Sequence, residues 1–552
     1  MGIWKLIGEN GHLPRRRLAV AAALSGLAST GVLALVNMAA REISNSGYDS
    51  VNWLLAGIFL LSVVVYFFAE NYLLNGVARA VEGALDRIRR SLLHGVRQAD
   101  FEKLEQRGGG DVGAIVAGDV AVISQMSQYL SIGFRSAILV IALTAYLAWL
   151  SVPALLVVTA VLVAAAVIYL RRGKHLGRLF FRAHKAEEAL GERIGDLLNG
   201  CKENRMWSAR AGALGEAFVE DSQRVKRTRS RTQLFGNDQF IFGQTAFFFV
   251  LAAVVFALPL FVDNMGNQIV QVTTAVLFLT GPVGMAVQSL TILAESNASA
   301  DRLMRLDAEL KEMREADIDR PGPPFDSDFR EIEVAGVTYA YQADMDERPF
   351  RVGPLSVAFR RGEISFITGG NGSGKTTLVR ILCGLYRPQE GNLSVDGRMV
   401  MAGAVQPYRE LISTVFSDYH LFRSSYGLEG VDPDRVHELL VWMKLDHVTG
   451  FHDGRFDSVD LSAGQRKRLA LVIALLEDRP IIVLDEWAAD QDPGFRRVFY
   501  REILPRLKRE GKTVIAVTHD DHYFDAADRR IHMEEGRIVE DKPNGARAEE
   551  RS

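Results

Sequence analysis

EISFITGGNGSGKTTLVRILCGLY, residues 363–386, decides the fold of the second half of this 552-residue chain. ISFIT has the β-branched and aromatic character of a buried strand, and TTLVRILCGLY has helical spacing. Between them GGNGSGKT, residues 369–376, satisfies G-x-x-x-x-G-K-[ST] in the strand-to-helix setting that the pattern requires. Glycines at such a turn let backbone N–H groups point inward around phosphate oxygens, and the helix N-terminus adds a favourable dipole. Candidate phosphate contacts are therefore Gly369, Asn371, Gly372, Ser373, Gly374 and Thr377, with Lys375 reaching toward a triphosphate and Thr376 toward Mg2+.

Further out, RPIIVLDE (479–486) and KTVIAVTHD (512–520) repeat the apolar-strand pattern, each ending in polar residues. Alternating strands and helices predict an α/β sheet domain. Asp485 and Glu486, at one strand tip, are candidates for holding Mg2+ and for polarising an attacking water. HDDH (519–522) also suggests metal ligands, although adjacent acids rarely face one ion. Upstream, a charged helical stretch (300–318) runs into RPGPPFDSD (320–328), where proline and glycine end regular structure. The expected domains are 1–322 and 323–552.

The chain is 48% hydrophobic, and the excess lies in the first domain. Six apolar runs fall at roughly 18–40, 53–75, 131–150, 153–171, 239–262 and 269–293. About 20 such residues cross a hydrocarbon core as a helix, and LLVVTAVLVAAAVIYL (155–170) carries no charge. Arg15, Arg16 and Arg17 precede the first run, Arg171 and Arg172 follow the fourth, and RVKRTRSR (224–231) leads into the fifth. The opposite loops, around 41–52, 151–153 and 263–268, hold only Arg41 as a basic residue. This asymmetry predicts that both termini are cytosolic. Two long connections, 76–130 and 172–238, read as helical extensions into the cytosol with turns near 99–108 and 198–208. Within the spans, Glu70 and Arg135 are expected either to pair or to lie at headgroup level. Pro282 is expected to loosen the sixth.

The net charge of −3 gives no bias toward nucleic acid, and a basic run before a span fits a membrane surface better. Two cysteines, Cys201 and Cys383, exclude a disulfide framework or zinc cluster. No cleavable signal peptide is evident.

LSAGQRKR, residues 461–468, resembles the signature motif of ABC transporter ATPases, usually LSGGQ, with Ala463 in place of one glycine. The resemblance implies that Ser462, Ala463, Gly464 and Gln465 contact ATP held by an opposite subunit. It also implies that Tyr341 stacks on adenine, that His519 is the switch histidine and that Glu486 is catalytic. Asp492 would lie in the coupling loop after the second acid. Six spans ahead of one such domain resemble an ABC exporter half-transporter: a six-helix all-α transmembrane domain fused to an α/β P-loop ATPase domain. VFSDYHLF (415–422), DEWAADQDPGFRRVFY (485–500) and THDDHYFDAADR (518–529) are similar to the cyclic-peptide and siderophore-peptide exporters of the pyoverdine and syringomycin type. Most exporters carry glutamine at the position of Ser417. Here Ser417 would reach Mg2+ only through water, or leave coupling to Asp418.

The resemblance implies ATP and Mg2+ as cofactors, a homodimer in a bacterial cytoplasmic membrane, and ATP-driven export of a small modified, cyclic or nonribosomal peptide. About seventeen residues precede the first span, which leaves no room for a peptidase domain, so cargo is expected to arrive processed. A lipid flippase or multidrug exporter is the alternative. A nucleotide-gated channel fits less well with Glu486 and His519 in place.

Overall fold

The computed structural model describes residue 5 and residues 15–46, 52–107, 110–257, 268–315, 322–341, 350–401 and 403–544. It divides into two compact units, one of Met1–Arg97 and Gly108–Glu312, the other of Gln98–Arg107 and Met313–Ser552.

The first unit is helical: α1 (Arg15–Ser46), α2 (Trp53–Gln98), α4 (Gly110–Leu150), α5 (Val152–Asn199), α6 (Cys201–Met206), α7 (Ser208–Ala252) and α8 (Gln268–Glu312). Five stretches are long and apolar enough to cross a membrane: Arg16–Ala40, Trp53–Gln98, Ile115–Leu150, Ser208–Ala257 and Ile269–Ser289. The fourth expected span is a shorter apolar stretch, Val152–Ile168, at the start of α5. Ser151 makes the α4–α5 turn: its side chain accepts from the Ala154 N–H, and proline follows in the first turn of α5. Of the other two expected external loops, 41–46 is instead the end of α1, and 47–51 and 263–267 lie outside the described residues. A helix of 46 residues such as α2 runs about 70 Å, more than twice a hydrocarbon core. The helices therefore extend well past any bilayer, as the mixed spacing of 76–130 and 172–238 predicts. Turns interrupt them at Ala99–Asp100, Gly200 and Trp207.

Leu33, Leu143, Leu147, Ala154, Val158, Phe247, Val272 and Leu279 form a buried cluster in this unit. Phe240, two turns from Phe247, is instead exposed. Pro282 lies inside an uninterrupted α8. Arg135 and Glu70 pair at 2.7 Å, the Ser25 hydroxyl donates to the other Glu70 oxygen at 2.7 Å, and Arg135 also donates to the Tyr66 hydroxyl at 3.2 Å. This is the first of the two arrangements expected for these charges.

The second unit is built on a six-stranded sheet, with β1 (Glu331–Ala340), β2 (Arg351–Arg360), β4 (Glu390–Val395) and β5 (Arg398–Met399) forming a separate antiparallel sheet in the order β2-β1-β4-β5. The larger sheet contains β3 (Ile364–Gly369), β6 (Ile412–Val415), β9 (Ile481–Asp485), β10 (Thr513–Val517), β11 (Arg529–Glu534) and β12 (Arg537–Pro543), ordered β12-β11-β3-β10-β9-β6. β11, β3, β10, β9 and β6 run parallel. Every residue of Ile481–Asp485 and Thr513–Val517 is buried, as in strands covered on both faces. Parallel strands bring their C-terminal ends to one edge, where ligands of open α/β sheets bind. Helices α9 (Lys375–Leu382), α10 (Val405–Arg409), α11 (Pro433–Trp442), α12 (Ala463–Leu476), α13 (Pro493–Val498) and α14 (Leu504–Arg509), with the short hairpin β7 (Phe451–His452) and β8 (Arg455–Phe456), complete this unit.

Residues 98–107, between α2 and α4 in sequence, belong to this unit. Ala99 and Arg314 form an antiparallel bridge, with the Asp100 N–H donating to the Met313 carbonyl and the Glu315 N–H to that of Gln98, both at 2.8 Å. Glu315, 8% exposed, holds Arg387 and Arg409 at 3.3 and 3.0 Å. The short helix α3 (Phe101–Arg107) follows the bridge.

Candidate nucleotide-binding site

The ends of β3, β6, β9 and β10 bring together four stretches that are far apart in sequence. After β3, Gly372 and Gly374 adopt φ of 74° and 96°, a region that residues with a Cβ rarely enter, and Gly374 caps α9. Lys375 is 5% exposed and donates to the Gly369 and Gly370 carbonyls at 3.0 and 2.8 Å. Burial holds its ammonium below the usual value, an effect that negative Glu486 and Asp485 partly oppose. Thr376 follows in the first turn, and the Thr377 hydroxyl shares a 2.9 Å hydrogen bond with Tyr341. Asn371 is exposed and Ser373 is buried.

Asp485 closes β9 and is 1% exposed. Ser417, just past β6, donates its hydroxyl to one Asp485 oxygen at 3.2 Å, whereas the other oxygen is buried with no partner among the described residues. Burial pushes this carboxyl above the usual range, and the Ser417 hydroxyl pulls it back. A buried carboxylate with an unpartnered oxygen, beside the Ser417 hydroxyl, offers oxygen donors of the kind that suit a hard divalent cation. No group of three or more His, Cys, Asp or Glu side chains placed to hold a metal ion occurs among the described residues, at this edge or away from it. The HDDH stretch diverges: Asp520 binds Arg496 and Tyr500, and the His522 side chain is 91% exposed.

Glu486 turns out of the strand in the left-handed region, φ 51°, so its side chain leaves the line of β9. Its N–H donates to the Val517 carbonyl at 3.2 Å, and its own carbonyl accepts from Lys467 at 2.7 Å. The backbone fixed in this way holds the carboxylate 3.3 Å from His519 Nε2.

The signature stretch opens α12. Ser462 accepts from the Gln465 N–H while the Gln465 side chain accepts from the Ser462 N–H, which makes a reciprocal cap. Ala463 begins the helix. A Cβ on Gly464 would stand 2.7 Å from the Asp490 carbonyl, so only glycine fits at this closeness. Gln491 donates to the Gly464 carbonyl at 3.0 Å, and Arg468 binds Gln491 and Asp492 at 2.8 and 2.9 Å. Asp492 caps α13 by accepting from the Phe495 N–H, which holds its carboxyl below the usual range. The LSAGQ stretch and the Asp490–Asp492 loop are thus one hydrogen-bonded piece.

Sequence reading had not singled out Lys467, Arg380 or the acids of α3. Lys467 is 4% exposed beneath Glu486 and pairs with Asp490 at 2.7 Å, and its place within LSAGQRKR was the available signal. Glu102 accepts from Tyr339 at 2.9 Å, and Glu105 accepts from Tyr386 at 2.6 Å. Tyr339 and Tyr386 stack with centroids 4.9 Å apart, and Tyr341 meets Tyr339 edge-on at 5.1 Å. Tyr341 therefore stands between the phosphate-loop helix and the rings that hold α3.

Residues 352–489 match the sequence profile of the ABC transporter family. The chain is 33% identical to the ATP-binding protein SyrD of Pseudomonas syringae pv. syringae, over 94% of this chain and 92% of that protein. It is 27% identical to an ATP-dependent lipid A-core flippase of Burkholderia orbicola, over 90% and 84% of the two chains. In fold it matches a bacterial Atm1-family ABC exporter with ATP bound, at a TM-score of 0.78, 18% identity, and 96% and 95% coverage. A phosphate loop, a buried acid and an acid–histidine pair on one sheet edge, continuous with a set of apolar helices, belong to a membrane ATPase whose hydrolysis is coupled to transport. The chain is a member of the ABC transporter family, an exporter half-transporter similar to SyrD along nearly its whole length.

Proposed function

We propose that the protein exports a small modified, cyclic or nonribosomal peptide across a bacterial cytoplasmic membrane, both termini lying on the cytosolic side. The observation that carries the cargo class is the 33% identity to SyrD, which runs through the helical unit as well as the ATPase. An ATPase-only resemblance would say nothing about cargo.

In this reading two copies face each other, because one chain supplies a phosphate loop and a signature for two different half-sites. Residues 369–377 cradle the ATP phosphates, Tyr341 meets the base, and Ser462, Gly464 and Gln465 complete the partner's site. Thr376 and Asp485, with Ser417 behind Asp485, would hold Mg2+. That ion would supply charge neutralisation at the phosphates. Glu486 accepts a proton from the attacking water, and His519, 3.3 Å away, orients that carboxylate. Asp492 and Asp418 carry the change in the site outward.

Glu486→Gln keeps the shape and removes the base. In proteoliposomes its phosphate release is expected to fall at least about 100-fold, with transport lost as well. Transport at the wild-type rate would sink the hydrolysis-driven reading. The flippase resemblance over 90% of the chain supports a lipid cargo as a second reading. ATPase stimulation in nanodiscs by cyclic peptides, against stimulation by added lipid A, separates the two.

A further inference from the structure

One guanidinium in the ATPase unit touches three pieces of chain that ATP-driven transport must keep in register. Arg380 lies on α9, five residues after Lys375 and one helical turn from Thr377, so it moves with the phosphate loop. Its side chain is only 17% exposed, and it reaches Glu105 of α3 at 3.1 Å and Asp418 at 3.7 Å. It also donates to the Tyr386 hydroxyl, which itself donates to Glu105. The Arg380 guanidinium lies 5.2 Å from the Tyr386 ring centroid and 6.0 Å from that of Phe101. Ser417, next to Asp418, ends at a hydroxyl that is bound to Asp485. The β6 loop therefore reaches α3 through Asp418 and Arg380.

We infer that Arg380 is the positioning residue that joins the nucleotide site to the 98–107 segment, binding α9, the Ser417–Asp418 loop and α3 through one charged side chain. A planar guanidinium suits this role because its donors diverge to several acceptors at once, whereas a lysine offers a single point charge. Asp418 is 71% exposed, so its 3.7 Å contact is the one best able to form and break as the loop responds to nucleotide. Glu105 and Tyr386 stay with Arg380 as a fixed pair of anchors. Segment 98–107 continues directly from α2, so a shift of α9 is handed to a helix that begins as a membrane span.

The inference rests on the ATP-driven reading above, and its test reads the two separately without requiring the cargo. Full-length protein in nanodiscs is given Mg-ATP with vanadate, and amide hydrogen exchange is followed over 98–107 and the C-terminal half of α2. In the wild type, nucleotide is expected to increase protection there. Arg380→Ala is expected to keep basal ATPase and KM for ATP within about twofold of wild type while losing most of that nucleotide-dependent protection. Glu105→Gln should behave similarly, and the double variant should be no worse than either single one, the mark of residues acting through one contact. Arg380→Lys should recover only part of the response. Wild-type protection changes in Arg380→Ala, additive losses in the double variant, or ATPase falling in parallel with protection would each overturn the inference. The last outcome would make Arg380 a strut of the fold. Absence of ATPase in the wild-type protein would instead count against the ATP-driven reading.

Discussion

The two units bury carboxylates in opposite ways. Glu70, in the helical unit, has both oxygens engaged, one by Arg135 and one by Ser25, and the arginine is shared with Tyr66. Asp485, in the ATPase unit, is more deeply buried yet has the Ser417 hydroxyl on one oxygen and no hydrogen-bond partner on the other among the described residues. A buried carboxylate oxygen without a hydrogen-bond partner is costly, and a fold keeps one where something else is to bind. Glu70 is a closed arrangement that holds helices together, whereas Asp485 is an open one, with an oxygen left for the ion proposed above.

The contrast breaks most directly at the closed pair. Glu70→Ala leaves Arg135 uncompensated and is expected to lower stability by about 3–5 kcal/mol. The paired change Glu70→Met with Arg135→Leu should recover most of that loss. Thermal unfolding in detergent checks both, and an unchanged midpoint in Glu70→Ala would remove the distinction.

At the open site the sign reverses. Asp485→Asn is expected to stabilise the nucleotide-free protein by about 1 kcal/mol while ATPase is lost, the usual trade at a functional residue. The gain should depend on pH. Burial raises the folded-state pKa of Asp485 above its unfolded value. Its contribution to stability is therefore fully present below the unfolded pKa of about 4 and is lost as pH rises through the raised folded value. The advantage of Asp485→Asn should accordingly be largest near neutrality and shrink on acidification. A destabilised Asp485→Asn protein would show that Asp485 is already compensated.

Ser417→Ala gives the smallest effect. It removes the one hydroxyl that draws the Asp485 carboxyl back down, so the pH at which nucleotide-free stability changes should move upward. ATP affinity, measured by titration, should fall by less than about fivefold, the worth of one hydrogen bond. A loss as large as that of Glu486→Gln would give Ser417 a role in the reaction itself.

What was legible in the sequence follows the range of each interaction. The phosphate loop and the β9 acids are made by residues within a few positions of one another, so strand, turn and helix signals sufficed, whereas LSAGQ was legible through its resemblance to a family motif and its reciprocal cap was not. The Glu70–Arg135 pair was legible only as one of two arrangements, because charges inside apolar runs have few permissible partners but can also sit at headgroup level. Arg380 was not: on a short helix it resembles any solvated arginine, and its partner Glu105 lies 275 positions away. Nor did helical spacing reveal that 98–107 folds with the ATPase unit. That placement is made by the Ala99–Arg314 bridge and by acids meeting tyrosines, neither of which has a period.

The Ala99–Arg314 bridge bears on how far the engine is a separable module. A fragment cut at Met313 would keep every nucleotide-handling motif, yet it would lose the backbone hydrogen bonds that join Asp100 to Met313 and Glu315 to Gln98. It would also strip α3 from Tyr339 and Tyr386, baring two ring faces that are 2% and 3% exposed in the whole chain. The heritable unit of the ATPase is therefore discontinuous: ten residues encoded between two helices, and a C-terminal domain encoded two hundred residues later. A recombination event that exchanged only the C-terminal part would bring in a socket without its plug, which ties the ancestry of the engine to that of the helices that feed it.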